Sequence, residues 1–244
     1  MNFNLVVKIK EKKEITRKTP IEVFPDPETV VILTLQQAGA ENAPLVSVGD
    51  NVSIGQKIAD SKEKISAPVH SPISGKVTKI GKAYNPRYED YTRAIFLEND
   101  GKERKDKTLK LISESEFKDV SIVSLINTVR EAGIIGLGGA CFPTHIKLSP
   151  PSDKPIKHLL VNAQESDIYS TSDERLIIEK TSNILKGVKV MRKILNSPEV
   201  VIATKNTKIA RRALSFSCCS RWSLPKWQAL GLPRAFTLLS LIHI

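Results

Sequence analysis

The chain has 244 residues, 41% of them hydrophobic and 26% charged, with a formal net charge of +11. That length and balance describe one large or two ordinary packed domains and exclude a disordered or fibrous chain. The positive charge suits an anionic cofactor or an anionic membrane surface. Nucleic acid is not an expected partner, because aromatics are only 5% of the chain and the basic residues crowd the start ("KIKEKKEITRK") without interleaved rings.

The opening "MNFNLVVKIKEKK" has a short apolar run with its charges after it, the reverse of a secretory signal. No segment supplies the roughly 18 uninterrupted apolar residues of a membrane helix. The longest candidate, "ALGLPRAFTLLSLIHI", carries Pro233 and Arg234 inside it. The expected location is therefore cytosolic, or peripheral on a membrane through partners. Cys141, Cys218 and Cys219 make no disulfide framework, and the adjacent pair lacks C-x-x-C spacing, so no metal or iron–sulfur cluster is expected within these residues.

After a basic lead-in over residues 1–28, residues 29–105 read as short strands separated by turns. "TVVILTL" is rich in β-branched residues, and "PLVSVGDNVSIGQKIAD" and "ISAPVHSPISGKVTKIG" repeat one style around V-G-D and I-S-G turns. This pairing resembles the barrel-sandwich hybrid fold of lipoyl and biotinyl carrier domains. In those carriers a hairpin-tip lysine holds the prosthetic group. Here the tip is "SKEKIS", with Lys62 and Lys64, and neither the lipoyl nor the biotinyl sequence context surrounds them. Two solvated lysines are the simpler reading.

A charged linker, residues 106–119, precedes a change of period. "SIVSLINTVREAG" has apolar residues at helical spacing, Ser121 as N-cap and Gly133 as the stop. "KHLLVNA" reads as a buried strand, "SDERLIIEKTSNILKGVKVMRKIL" as helical, "EVVIAT" as another buried strand and "NTKIARRAL" as the start of a helix. Strand and helix in alternation predict an α/β domain with a mainly parallel sheet, whose ligands sit beyond the carboxyl ends of the strands.

Two stretches carry the candidate chemistry. "GIIGLGGACFPTH" concentrates four of the 12 glycines. Gly133 is accounted for as a helix stop, whereas Gly136, Gly138 and Gly139 expose backbone N–H groups that can hold phosphate or lie against a ring. Lys147 follows as a source of positive charge. The loop is neither a Walker A motif nor a dinucleotide fingerprint, and a purely structural turn stays open. "VNAQESDIYSTSDERL" places Asn162, Gln164, Glu165 and Asp167 after a strand, where amides and carboxylates can bond ribityl or ribose hydroxyls. Thr171 to Glu174 read instead as a helix start with acidic residues favourable to its dipole.

Together these stretches resemble the flavin- and NADH-binding module shared by the flavoprotein subunit of respiratory complex I and the C subunit of the Rnf electron-transport complex. That module has a G-x-G-G-A-G-F-P-T loop, a following lysine and a strand–N-A/G-x-E-x-E run. The preceding barrel and the "YSTSDERL" run point to the Rnf subunit. The resemblance implies an all-β barrel-sandwich hybrid followed by an incomplete Rossmann-like FMN-binding α/β domain over residues 120–214. It implies FMN held by Gly136, Gly138, Gly139, Lys147, Asn162, Gln164 and Glu165, with Phe142 stacking on NADH and Asp167 binding its hydroxyls. The chain would be an electron-input oxidoreductase subunit at the cytoplasmic face of a bacterial membrane, among the partner subunits of a complex coupling NADH–ferredoxin electron transfer to ion translocation. The alternative is a carrier or scaffold without redox activity.

The chain departs from that pattern in several places. Cys141 stands where the loop has its last glycine, and either a reactive thiol or a small buried residue is compatible with it. Ser166, Asp167 and Ile168 replace Cys, Glu and Pro. Family members continue into a segment with two [4Fe–4S] motifs, whereas residues 215–244 read as an aberrant tail, with "LSLIHI" matching translated adapter sequence. The expectation is an N-terminal fragment without clusters of its own.

Overall fold

The computed structural model describes residues 10–108, 112–113, 115–137, 139–165, 167–196 and 198–204. Gly138, the helix expected from "NTKIARRAL" and the tail over residues 215–244 lie outside them.

The first module is a sandwich of two antiparallel sheets. One has the order β1 (Thr29–Leu33), β7 (Asp90–Asn99), β6 (Gly75–Asn85), β3 (Asn51–Val52). The other has the order β2 (Ala43–Pro44), β4 (Lys57–Asp60), β5 (Val69–His70). Their facing side chains, among them Val52, Ile58, Val69, Val77, Ile95 and Leu97, form one buried cluster. Alternation makes this possible: Val77 is buried while its neighbours Lys76 and Thr78 are exposed. The related V-G-D and I-S-G turns meet here, since Gly49 donates to the Val77 carbonyl and Val77 N–H to Asp50. Pairing continues to Asp106, whose N–H bonds the Ile54 carbonyl.

The loop carrying Lys62 and Lys64 joins β4 to β5, with both lysines exposed. Its backbone is tied down on the inside. Buried Ser66 donates to the Ser61 and Glu63 carbonyls, and Ala40 N–H bonds Ile65. The loop backbone is thus fixed while both lysine side chains face solvent.

The second module begins with α1 (Ile122–Glu131), capped as expected by Ser121, whose hydroxyl accepts from Ser124 N–H at 3.1 Å. It ends in a Schellman pair: Gly133 N–H to Arg130 and Ile134 N–H to Val129. A short helix α2 (Thr144–Lys147) follows, then β8 (His158–Ala163), α3 (Ser172–Glu179), α4 (Thr181–Ile194) and β9 (Glu199–Thr204). β8 and β9 pair in parallel over their full lengths, from His158 with Glu199 to Ala163 with Thr204. The run expected as helical breaks at Lys180, where φ is −122°. The break lets Ile177 point into a cluster with Ala163 and Ile202 while Val188, Met191 and Ile194 pack with Leu125, Val129 and Val200. Val200 and Ile202 are buried, but Leu160 and Val161 of β8 are only half-buried, because among the described residues the sheet has two strands.

The modules meet along α1. Arg130 bonds Asp60 with both terminal nitrogens, at 2.8 and 3.1 Å, and reaches the Ser61 carbonyl. Lys57 sits between Asp60 and Glu131. Burial works to raise the Asp60 carboxyl, but Arg130, Ser61 N–H and Lys57 outweigh it and hold the group below its ordinary range. Gly133 passes tight against the barrel, and a Cβ there would lie 2.4 Å from the Pro68 carbonyl oxygen.

A candidate flavin-binding site

The glycine loop is a tight hairpin-like turn. Gly136 N–H donates to the Phe142 carbonyl at 2.9 Å and Thr144 N–H to Ile134 at 3.0 Å, so the stem closes beneath a tip over residues 137–141. Gly136 is buried in the stem. Gly139 is exposed at the tip, and a Cβ placed on it would meet nothing within 4 Å. Nothing in the fold itself therefore demands glycine at 139. Leu137 stands exposed beside it, and Phe142 is half-buried at the base.

Cys141 has φ of 43°, in the left-handed region that favours glycine. The glycine expected at this position from the resemblance is thus a backbone requirement of the turn, and cysteine meets it under strain. Its thiol is partly exposed.

α2, directly after the loop, carries three groups without a partner among the described residues: the Thr144 hydroxyl, His145 Nδ1 and the Lys147 ammonium. The Thr144 hydroxyl is buried with no hydrogen-bond partner, and half-buried Lys147 has no ion-pair partner among the described residues. Loss of water pushes the Lys147 ammonium below the ordinary lysine range. His145, between them, is buried and also held below its ordinary value, first by burial and then by Arg130, while its ring faces the Lys64 backbone carbonyl. A half-buried ammonium without a counter-charge among the described residues, eight positions after an exposed Gly139, is what a phosphate-bearing group would satisfy, so these residues fit FMN.

The second stretch is arranged differently from the sequence expectation. Asn162 lies at the carboxyl end of β8 and accepts from Gln164 N–H at 3.0 Å, turning the chain out of the sheet. The Gln164 side chain makes no hydrogen bond among the described residues. Asp167 is exposed, and its Oδ1 accepts from the N–H groups of Tyr169 and Ser170, which hold the carboxyl below its ordinary range. Glu165 is engaged by protein on both oxygens. Oε2 pairs with Lys13 at 2.6 Å, and Oε1 accepts from Asp173 N–H at 2.7 Å and Glu174 N–H at 3.3 Å at the start of α3. A cleft of about 180 Å³ lies beyond the last residues of β8 and β9, lined by Ala163, Thr204, Glu165 and Glu174 with Lys13 and Arg17 opposite.

No hydrogen bond among the described residues joins the glycine loop to the segment after Asn162. Each is held by the first module or its lead-in, through residues that no sequence motif singled out. Arg87, at the tip of the β6–β7 hairpin, donates to the Ala140 carbonyl at 2.8 Å, and Ala38 N–H donates to Cys141 at 3.1 Å. Lys13, in the lead-in, is 3% exposed and grips Glu165. The one sequence signal for the latter is charge complementarity between a basic lead-in and an acidic segment.

Comparison with known proteins gives the same division. The RnfC barrel sandwich hybrid domain matches residues 1–102, and the Nuo51 FMN-binding domain matches residues 129–218. The chain is thus similar to RnfC in its first part and to the Nuo51 FMN-binding domain in its second. It is 37% identical over 199 residues to the C subunit of the proton-translocating ferredoxin:NAD(+) oxidoreductase complex of Clostridium ljungdahlii, covering 81% of this chain and 43% of that protein. It is 32% identical over 197 residues to the C subunit of the Na(+)-translocating ferredoxin:NAD(+) oxidoreductase complex of Acetobacterium woodii, covering 81% and 44%. The chain spans less than half the length of these curated relatives. Among the described residues no helix is long and apolar enough to cross a membrane, and no cluster of ligating side chains could hold a metal ion.

Proposed function

We propose that this chain is the FMN-binding, electron-input region of an RnfC-type subunit, acting with partner subunits in a membrane complex that couples electron transfer between NADH and ferredoxin to ion translocation. The observation that carries this reading is a half-buried Lys147 without a counter-charge among the described residues, following an open Gly139 backbone, inside a region matching an FMN-binding domain. Bound there, FMN would accept a hydride from NADH and pass its electrons on singly.

The protein's part is to bind and orient. Gly138, Gly139 and Lys147 would take the phosphate and lie against the flavin, and Asn162 and Gln164 would bond its ribityl and ring edge. Gly136, expected from the sequence to expose its N–H, instead donates it to the Phe142 carbonyl and serves the stem. Phe142 would face the nicotinamide and Asp167 the hydroxyls of NADH. Glu165 contributes through the loop it fastens. The remaining length of the family would supply the [4Fe–4S] electron exit, and the chain would sit peripherally at the cytoplasmic face through its partners.

The test is a titration of the purified chain with FMN, read by flavin fluorescence and by co-elution on gel filtration. Stoichiometric uptake supports the reading. A colourless chain that takes up no added FMN overturns it.

A further inference from the structure

The outlying parts of the barrel module reach both ligand loops of the second module. On one side, buried Asn85 donates to the Leu35 carbonyl at 2.8 Å and Tyr88 to Gln37 at 3.3 Å, setting the hairpin tip on the segment before Ala38. From that platform Arg87 and Ala38 bond consecutive carbonyls, Ala140 and Cys141. On the other side, a single 3₁₀ turn, Lys13–Ile15, turns Lys13 inward to Glu165. Around it Lys12 N–H bonds Ile168 at 3.0 Å, Thr16 bonds the Tyr169 carbonyl at 3.0 Å, and Thr171 bonds Thr16 at 3.0 Å. Arg17 pairs with Glu174 at 3.2 Å, and Ile21 N–H reaches Glu179.

We propose that the first module and its lead-in are the fastening frame of the nucleotide site, with Lys13 and Arg87 as positioning residues for the acidic segment and the glycine loop. Surface loops with few contacts of their own pay an ordering cost when a ligand binds, and a frame that orders them beforehand removes it. The pair is well placed for this. A buried ammonium against a buried carboxylate is bound to one geometry, because separating them leaves a charge uncompensated. Glu165 then transmits that geometry to α3 through two backbone N–H groups. The consequence for FMN rests on the proposed FMN-binding function; the fastening itself does not.

The experiment uses the full chain and five forms: wild type, Lys13→Met, Lys13→Arg, Lys13→Met with Glu165→Gln, and Arg87→Ala. The double variant removes the pair without stranding a buried charge. Amide hydrogen exchange is measured without ligand, with β6 and β7 as internal reference. Faster exchange over Asp167 to Glu174 in both Lys13→Met forms, and at the loop's hydrogen-bonded amides Gly136 and Thr144 in Arg87→Ala, is expected while the reference strands stay protected. Lys13→Arg restores protection. FMN affinity then falls about tenfold in the loosened forms, as a lost pre-organisation of the site requires. Unchanged loop exchange overturns the proposal, and so does FMN binding that is unaltered or tighter once the loops are loosened. If wild type takes up no FMN, the functional reading fails by itself and the exchange data still decide the fastening.

Discussion

The backbone N–H of Ala38 donates to the carbonyl of Cys141 at 3.1 Å, joining the barrel to the glycine loop at a residue whose φ is 43°. The bond holds a left-handed turn in place at a position that lacks glycine. A left-handed L-residue costs about 1–2 kcal/mol, whereas glycine adopts the turn freely at some cost in chain entropy. Cys141→Gly should therefore stabilise the chain by about 0.5–1 kcal/mol, and Cys141→Ala should not. Urea unfolding curves on the three forms decide it, and a Gly variant no more stable than the Ala one would remove strain as the explanation.

Two glycines of the same stretch should respond in opposite ways. Gly133 has φ of +66°, and an added Cβ would meet the Pro68 backbone oxygen at 2.4 Å, where no side chain can move aside. Gly133→Ala should cost more than about 2 kcal/mol, because strain and steric overlap add. Gly139 has open space around it, so Gly139→Ala should leave stability within about 0.5 kcal/mol while weakening FMN binding. Thermal unfolding and FMN titration on both variants separate the fold-serving glycine from the ligand-serving one. Equal FMN affinity for Gly139→Ala would return that glycine to a merely tolerated residue.

The interface between the modules should loosen in mild acid. Burial is the largest influence on both His70 and His145, and it holds each below the ordinary histidine value of 6.5. Around His70 stand Lys57, Asp60 and Glu131; His145 faces Arg130 and the Lys64 carbonyl. The unfolded histidines take up protons near 6.5 and the folded ones only at lower pH, so between those values the unfolded state binds more protons. Stability from this source is intact above about pH 6.5 and is lost as pH falls through the folded values. Melting temperatures across that window should decline, and His70→Gln with His145→Gln should flatten the decline. An unchanged slope in the double variant would assign the acid sensitivity to other groups.

Much of this architecture was legible in the residues because it is local. "EVVIAT" became β9 over its full length, and Ser121 capped α1, since an apolar run and a hydroxyl one position before a helix act within a few residues of themselves. The break at Lys180 escaped notice: both sides of it have helical spacing, and only packing against two different clusters separates them. The partner of Glu165 was less readable still. Lys13 lies 152 positions away, and composition marks the lead-in as basic without saying what it will meet. Candidate ligand residues could be named from their motif, but which of them the protein already occupies depends on the tertiary fold.

Lys147 offers the sharpest separation of binding from folding. It is half-buried without a counter-charge among the described residues, and the loss of water already lowers its proton affinity. Keeping such an ammonium costs the ligand-free chain some stability, so Lys147→Met should leave the unfolding midpoint unchanged or raise it. A hydrogen bond to a charged group is worth about 1.5–3 kcal/mol, so the same variant should bind FMN roughly 10- to 100-fold more weakly. Riboflavin, which lacks the phosphate, serves as the control. If Lys147 meets the phosphate, wild type should prefer FMN over riboflavin and the variant should lose most of that preference. A variant that retains the full preference would place the phosphate elsewhere and leave Lys147 without a ligand.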